Sequence, residues 1–130
     1  MNMKRFALIA TTLVIAGVAH AAPNVNKSGE CYTFKNNKLS AEATCDISIE
    51  YDRNKGKSTS LKISDRSYNV ETEKNGANHS DLRFTIDGME ARHYLRNAAT
   101  NKQATLSELE SVNGDALNCY KSASIDLCHN

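Results

Sequence analysis

Four cysteines are the residues of this 130-residue chain whose chemistry is most readily inferred from type and spacing. They are Cys31, Cys45, Cys119 and Cys128. Zinc sites usually contain cysteine pairs about two to four residues apart, and a catalytic redox pair needs a Cys-x-x-Cys arrangement. Neither spacing occurs here, whereas an even number of cysteines in a small exported domain is typical of disulfides. The sequence therefore predicts two disulfides and no metal site.

Four cysteines allow three disulfide connectivities. Pairing Cys31 with Cys45 and Cys119 with Cys128 is favoured, because each pair brackets a segment that can form a hairpin. Each such closure contributes about 2.5–3 kcal/mol by reducing the entropy of the unfolded chain. Pairing Cys31 with Cys128 and Cys45 with Cys119 would instead tie the two chain ends together, and it stays open as the alternative.

No combination of residues in the sequence has the pattern of a catalytic centre. His79-Ser80-Asp81 contains the residue types of a hydrolase triad, but adjacent side chains diverge and a triad needs segments that converge from a distance. Glu108 and Glu110 lie two residues apart on a predicted helix and point in different directions, which does not suit a glycosidase pair. Glycine-rich phosphate loops and nucleophile elbows do not occur in the sequence. The sequence thus predicts no enzymatic activity, no catalytic residue and no cofactor.

One cluster of charge is a candidate binding site. A tight turn at Asp87-Gly88 places Arg83 and Arg92 opposite each other on the outer face of a hairpin, with Tyr94 on the same face. Like charges in this position repel each other, and the nearby carboxylate of Glu90 offsets the repulsion. The ordinary interpretation is a solvated ladder of mixed charge. The functional hypothesis is a clamp for an anion or an acidic partner.

The N-terminus has the pattern of a secretory signal peptide over residues 1–21. Lys4-Arg5 supply a positive start, Phe6–Val18 form an apolar run, and Ala19-His20-Ala21 forms a cleavage site with small residues. The run is shorter than the roughly 20 residues of a membrane span, so we expect cleavage after Ala21 and export to the periplasm or the medium. Cys31 lies too far beyond that point to be a lipidated N-terminal cysteine, so no lipid anchor is expected.

Composition limits the rest of the chain to one domain with an ordinary solvated surface. Residues 22–30 are polar and lack periodicity, so they are predicted to be a flexible leader to a single disulfide-stabilised domain over residues 31–130. The whole chain has a formal net charge of +1, and its charges alternate in sign. A nucleic-acid-binding domain would show clustered basic residues instead, so nucleic acid is excluded as a partner.

Alternating apolar and polar residues predict a series of short strands. They cover residues 31–35, 44–51, 60–63, 68–72, 82–86, 89–95, 117–121 and 125–128. A capping box, Thr105-x-x-Glu108, predicts a short helix over residues 105–112 whose apolar face carries Leu106, Leu109 and Val112.

Turn residues predict how the strands pair. Asn36-Asn37 and Asp87-Gly88 tolerate positive φ and mark hairpin turns, and Asp65-Arg66 is a further two-residue turn. The expected opposite pairs are Ile63–Tyr68, Leu61–Val70, Ile86–Met89, Phe84–Ala91 and Leu82–His93. Each pair lies on one apolar face, where His93 is expected to be a half-buried histidine.

The predicted fold is mainly β: a small antiparallel meander or open barrel-like sheet with one short helix in the C-terminal half and two disulfides. The predicted function is that of an exported, monomeric, non-enzymatic binding protein for a protein or another envelope component. An inhibitor or immunity-type protein for a hydrolase is one concrete version, with the loops Asp52–Lys57 and Glu73–Ser80 as candidate contact segments. A surface-assembly component that pairs through a strand edge is the alternative, and a small exported hydrolase is a less favoured one.

Overall fold

A computed structural model of the protein describes residues 24–52, 56–74 and 82–130. In chain order the elements are β1 (Val25–Lys35), β2 (Lys38–Asp52), β3 (Gly56–Ile63), β4 (Arg66–Lys74), β5 (Leu82–Ile86), β6 (Met89–Asn97), α1 (Leu106–Ser111), β7 (Ala116–Lys121) and β8 (Asp126–His129). The predicted signal peptide at residues 1–21 lies outside these ranges, as do the middle parts of the 52–57 and 73–80 connections. Within the ranges, no helix has the length and apolar character needed to cross a membrane.

The strands form one closed antiparallel barrel in which each strand pairs with the next. β8 closes the barrel by pairing with β7 on one side and with the middle of β1 on the other. The prediction of a mainly β, antiparallel, barrel-like sheet with one short helix is confirmed, and the sheet is closed.

Alternate residues of each strand point into the barrel and form its core. Leu61 and Leu127 are completely buried there, and Tyr120 lies between them and the ring side chains of neighbouring strands. The buried residues of this interior are Cys31, Cys45, Ile47, Leu61, Tyr68, Val70, Ile86, Tyr120 and Leu127. Because each large apolar side chain contributes about 1.5–3 kcal/mol when buried, this interior is the main source of stability.

A second apolar cluster covers the outer side of β1, β7 and β8. Its buried members are Phe34, Leu117, Cys119 and Cys128. These residues have the opposite strand parity to the interior residues Tyr120 and Leu127, so they face outward. Ala98, at the start of the connection that follows β6, packs against this outer cluster. The outer cluster is therefore buried by the chain itself.

The two disulfides have the favoured connectivity, and each joins the two strands of one hairpin. Cys31–Cys45 links β1 to β2 inside the barrel, with 5.8 Å between the Cα atoms. Cys119 lies directly opposite Cys128 in the β7–β8 ladder, with 4.0 Å between the Cα atoms, and this disulfide belongs to the outer cluster. Two disulfides are consistent with an oxidising compartment.

The two ends of the barrel differ. Asn36-Asn37, Ser64-Asp65 and Asp87-Gly88 form two-residue turns at one end, which we call the tight-turn end. Asn36, Asn37, Ser64 and Asp87 all have φ near +50° to +63°, as tight hairpin turns require. The β2–β3, β4–β5 and β6–β7 connections all leave from the opposite end, because neighbouring strands are antiparallel. We call that end the mouth.

Several strand boundaries and one register differ from the sequence prediction. β1 begins at Val25, so most of the predicted leader at residues 22–30 is a strand paired with β2. β2 begins at Lys38 and is longer than predicted. In the β3–β4 hairpin the turn lies at Ser64-Asp65, so Leu61 is opposite Tyr68. The predicted register was wrong by two residues, which leaves every side chain on its predicted face.

The other local predictions have mixed outcomes. Ile86–Met89 and Phe84–Ala91 pair as predicted, but the β5–β6 ladder ends there, and Leu82 pairs with Lys74 rather than with His93. Helix α1 begins with the predicted capping box, in which Thr105 and Glu108 satisfy each other's backbone amides. Of the predicted apolar face only Leu109 is buried, whereas Leu106 and Val112 are exposed.

The two disulfides should contribute separately to stability. Replacing Cys119 and Cys128 by alanine, or Cys31 and Cys45 by alanine, should lower the free energy of unfolding by about 2.5–3 kcal/mol in each case, since each bond closes a short loop. Urea denaturation of the oxidised variants measures this loss. Peptide mapping of the wild-type protein without reductant should yield the two local crosslinks, and a Cys31–Cys128 crosslink would contradict the structure.

Candidate binding site at the barrel mouth

The residues of the predicted anion clamp lie on the outer face of the barrel. Arg83 is exposed on β5 and pairs with Glu73 of β4. Arg92 is exposed on β6, with its guanidinium carbon 5.3 Å from the centre of the Tyr94 ring. The β5–β6 ladder ends one step before Arg83 and Arg92 would face each other. The three clamp residues thus share the outer face. One of the two cations, Arg83, is opposite the carboxylate residue Glu73 in the β4–β5 ladder.

The hydroxyl of Tyr94 is already used within the protein. It donates a hydrogen bond to the carboxylate of Asp126 and accepts one from Arg96 Nε at 3.1 Å. Burial and the hydrogen bond to Asp126 raise the pKa of Tyr94 to about 12, so the phenol stays neutral. In the clamp, only the ring of Tyr94 is left to contact a ligand.

Sequence reasoning missed Arg96, the most buried charge of the described residues. Arg96 is 0% exposed, and its guanidinium stacks 3.8 Å from the centre of the Phe34 ring. Its remaining donors reach the side chain of Asn37, the carbonyl of Asn101 and Oδ2 of Asp126, the last at 3.3 Å. A buried charge is tolerated when it is paired and hydrogen-bonded in this way. Arg96 therefore stabilises the outer cluster and has no donor directed to solvent.

A row of four rings lines the barrel interior from β5 to β8. Phe84 stacks on His93 with 5.3 Å between ring centres, His93 lies 5.1 Å from Tyr120, and Tyr120 lies 6.1 Å from His129. His93 is on the inner face, as predicted, but it is exposed rather than half-buried, and its Nε2 lies 3.3 Å from the amide oxygen of Asn118. We call these four residues the ring row.

The pKa values of both histidines in the ring row are lowered. Burial lowers the pKa of His129, and the positive charges of Lys27 and Lys57 lower it further. Burial also lowers the pKa of His93, and Lys57 adds to this effect. The ammonium group of Lys57 is therefore close enough to influence both rings.

Lys57 belongs to a pocket of about 330 Å³ at the mouth. We call it the mouth pocket, and its lining residues are Tyr51, Asp52, Gly56, Lys57, Thr72, Lys74 and Leu82. Lys57 lies between Tyr51 and Thr72 in the strand register. The predicted contact segments Asp52–Lys57 and Glu73–Ser80 contain part of this lining, but sequence reasoning assigned Lys57 to a loop and did not predict a pocket.

Three buried polar atoms of the described residues have no hydrogen-bond partner: Oγ1 of Thr72, Nε2 of His129 and Oδ1 of Asn101. Thr72 and His129 are on inner strand positions, whereas Asn101 lies beside Arg96. Thr72 is only 9% exposed, and it lines the mouth pocket. Buried polar atoms are nearly always paired, so each exception needs a reason. A ligand at the mouth would supply a partner for Thr72.

The described residues contain no cluster of three or more His, Cys, Asp or Glu side chains that could hold a metal ion. The mouth pocket instead combines two cations, a hydroxyl and apolar side chains. This arrangement can bind a ligand by charge, by hydrogen bonding and by burial of apolar surface.

The buried imidazole of His129 should make stability depend on pH. Its pKa is lowered in the folded state, so the unfolded state binds more protons below its ordinary pKa of about 6.5. The protein should therefore have its full free energy of unfolding above that pH, and this free energy should fall as the pH decreases. Urea denaturation at several pH values between 7.5 and 5.5 measures the decrease.

The matched control is His129→Phe, which keeps an aromatic ring and removes the titration. The variant should lose less stability than the wild type over the same pH range. Equal losses in the two proteins would show that His129 does not contribute to the pH dependence.

Comparison with known proteins adds no family or relative to this description, since no protein-family model, no curated protein and no solved structure matches the chain.

Proposed function

We propose that the protein is an exported, non-enzymatic binding protein that holds its partner at the mouth of the barrel. The observation that carries the proposal is the mouth pocket, where the unpartnered hydroxyl of the buried Thr72 lies beside Lys57. Binding sites on rigid β-barrels are commonly formed by the connections at one end. The barrel core below this pocket is filled by side chains such as Leu61 and Val70, so the site is shallow.

The two segments predicted to contact a partner belong to this end. β2 and β4 end at the mouth, and β3 and β5 begin there, so the 52–57 and 73–80 connections start and finish beside the pocket. A shallow pocket at the ends of four strands suits a partner that is itself a protein. An inhibitor or immunity-type protein that caps a hydrolase is the concrete form that we propose.

Strand-edge assembly has one observation in its favour. In the described residues Lys38–Thr44 of β2 pair with β1, whereas the β2–β3 ladder begins only at Asp46. This exposed stretch carries Lys38 and Glu42, and charged residues on an edge strand oppose self-association. Light scattering over a range of concentrations distinguishes the two functions, because an assembly component forms polymers and a binder stays monomeric.

The export part of the proposal is tested on the full chain. Expression with the native N-terminus in a bacterial host should give periplasmic or secreted protein that begins at Ala22, because the signal is cleaved after Ala21. N-terminal sequencing and intact mass identify the cleavage point. Recovery of the complete chain in the cytoplasm would contradict export.

The binding part is tested by capturing partners from envelope extract with the exported protein. Leu82→Asp and Lys57→Glu alter the mouth pocket and should weaken capture of the specific partner at least about tenfold, since each places a negative charge at the binding surface. Arg83→Glu and Arg92→Glu alter the outer face and serve as matched controls, which should bind like the wild type.

The captured partner should be a hydrolase whose activity falls when the wild-type protein is added. Loss of binding in the Arg83 and Arg92 variants alone would assign the site to the outer clamp and overturn the proposal for the mouth. Equal binding by all four variants would also overturn it.

A further inference from the structure

The chemistry of the mouth pocket indicates the kind of group that it binds, and this inference rests on the proposed function. We propose that the pocket binds a small amphipathic carboxylate, which is an apolar aliphatic or aromatic group that ends in a carboxylate. The carboxylate lies between the ammonium group of Lys57 and the hydroxyl of Thr72. The apolar group packs on Leu82 and Tyr51.

The first step of the argument is the hydroxyl of Thr72. Its Oγ1 is buried and has no partner within the protein. A hydroxyl can donate one hydrogen bond, and a carboxylate is a strong acceptor for it. Thr72 lines the pocket, and a turn about its Cα–Cβ bond presents the hydroxyl to a carboxylate there without breaking any hydrogen bond of the free protein.

The second step is the charge of the lining. Lys57 is directly opposite Thr72 in the β3–β4 ladder, and Lys74 follows two residues later on the same face of β4. Among the described residues that line the pocket, Asp52 is the one acidic residue. Within this part of the lining, two lysines against one aspartate leave an excess of positive charge, which favours an anion.

The third step is the apolar part of the lining. Leu82 is 47% exposed and Tyr51 is 43% exposed, which is high for large apolar side chains that face a barrel interior. Leu82 is opposite Lys74, and Tyr51 is opposite Lys57, so each apolar side chain stands beside a cation. A ligand with both an apolar group and a negative charge fits this alternation, and the volume of about 330 Å³ suits a small one.

The fourth step is the fixed geometry of the pocket wall. Gly56 has a φ of +119°, and a Cβ atom there would lie 1.9 Å from the carbonyl oxygen of Thr72. Only glycine allows β3 to begin so close to β4 at this point. The wall that carries Lys57 and Thr72 is therefore set before a ligand binds, which lowers the entropic cost of binding.

The test uses 3-phenylpropionate as the probe and the exported, disulfide-bonded protein. In a titration followed by NMR, the amide signals of Lys57, Thr72 and Leu82 should shift and saturate. Acetate lacks the apolar group, and 3-phenylpropanamide lacks the charge, so each should bind at least about tenfold more weakly. An absence of saturation with 3-phenylpropionate, or equal binding of the neutral amide, would overturn the proposal.

Variants identify the groups that bind the carboxylate. Thr72→Val keeps the shape of the side chain and removes the hydroxyl, so it should fold and bind the probe about fivefold to tenfold more weakly. Thr72→Ser keeps the hydroxyl and should retain most of the affinity. Lys57→Met should abolish saturable binding, whereas Lys62→Met, on the outer face of the same strand, should bind like the wild type. Unchanged affinity in both Thr72→Val and Lys57→Met would overturn the proposal.

The source of the carboxylate is distinguished by a peptide that ends in phenylalanine. Tighter binding of the free-acid peptide than of 3-phenylpropionate indicates the C-terminus of a protein, with the amidated peptide as control. Tighter binding of 3-phenylpropionate indicates a free organic acid. If the probe fails to bind but capture of a partner still depends on Leu82 and Lys57, the proposed function stands and only the ligand chemistry is wrong.

Discussion

The pairing of β8 with β1 is the constraint on which the rest of the structure depends. β8 has only four residues, all of them buried, and it connects β7 to β1. Without this pairing the sheet would be an open meander whose two end strands had unpaired edges. Closure defines an interior, and it makes one set of connections converge on a mouth. The Cys119–Cys128 disulfide holds β8 against β7, so the shortest strand is also the one that is covalently fixed to its neighbour.

Some buried polar groups of the molecule are hydrogen-bonded within the fold, and others have no hydrogen-bond partner. Arg96 and Asp126 are buried and paired with each other on the outer side of the barrel, and Tyr94 is hydrogen-bonded to both. Removing one member of such a group would leave a buried charge without compensation, so these residues are structural. Thr72 is buried to nearly the same degree, but its hydroxyl has no partner. The amide oxygen of Asn101, beside Arg96, also has no partner, so what distinguishes the mouth is the pocket that Thr72 lines.

Predictions that a recognisable local signal supported were confirmed, and those without such a signal were not. The Asp87-Gly88 turn and the two hairpin disulfides follow from residues close together in the sequence. The β3–β4 register failed because Ser64 adopts a φ of +56°, a conformation that a serine does not signal. β1 extends back to Val25 because β2 supplies backbone partners for this stretch. Its residues are mostly polar, so no apolar alternation signals the strand in the sequence. Lys57 was assigned to a loop because a lysine on an inner face interrupts the pattern from which a strand is recognised, and Thr72 was placed in a strand but not recognised as part of a site.

The interruption of the pattern is itself informative about function. In β3 and β4 the inner positions pass from Leu61 and Tyr68, through Thr59 and Val70, to Lys57 and Thr72. The inner face thus changes from apolar to polar towards the mouth, while the outer face stays ordinary. Apolar residues at the two positions nearest the mouth would stabilise the fold more, since they could extend the core. A lysine and an unpaired hydroxyl at these positions make that end of the barrel polar, which is the feature that the proposed ligand site uses, and the Cys31–Cys45 disulfide reinforces the core below it.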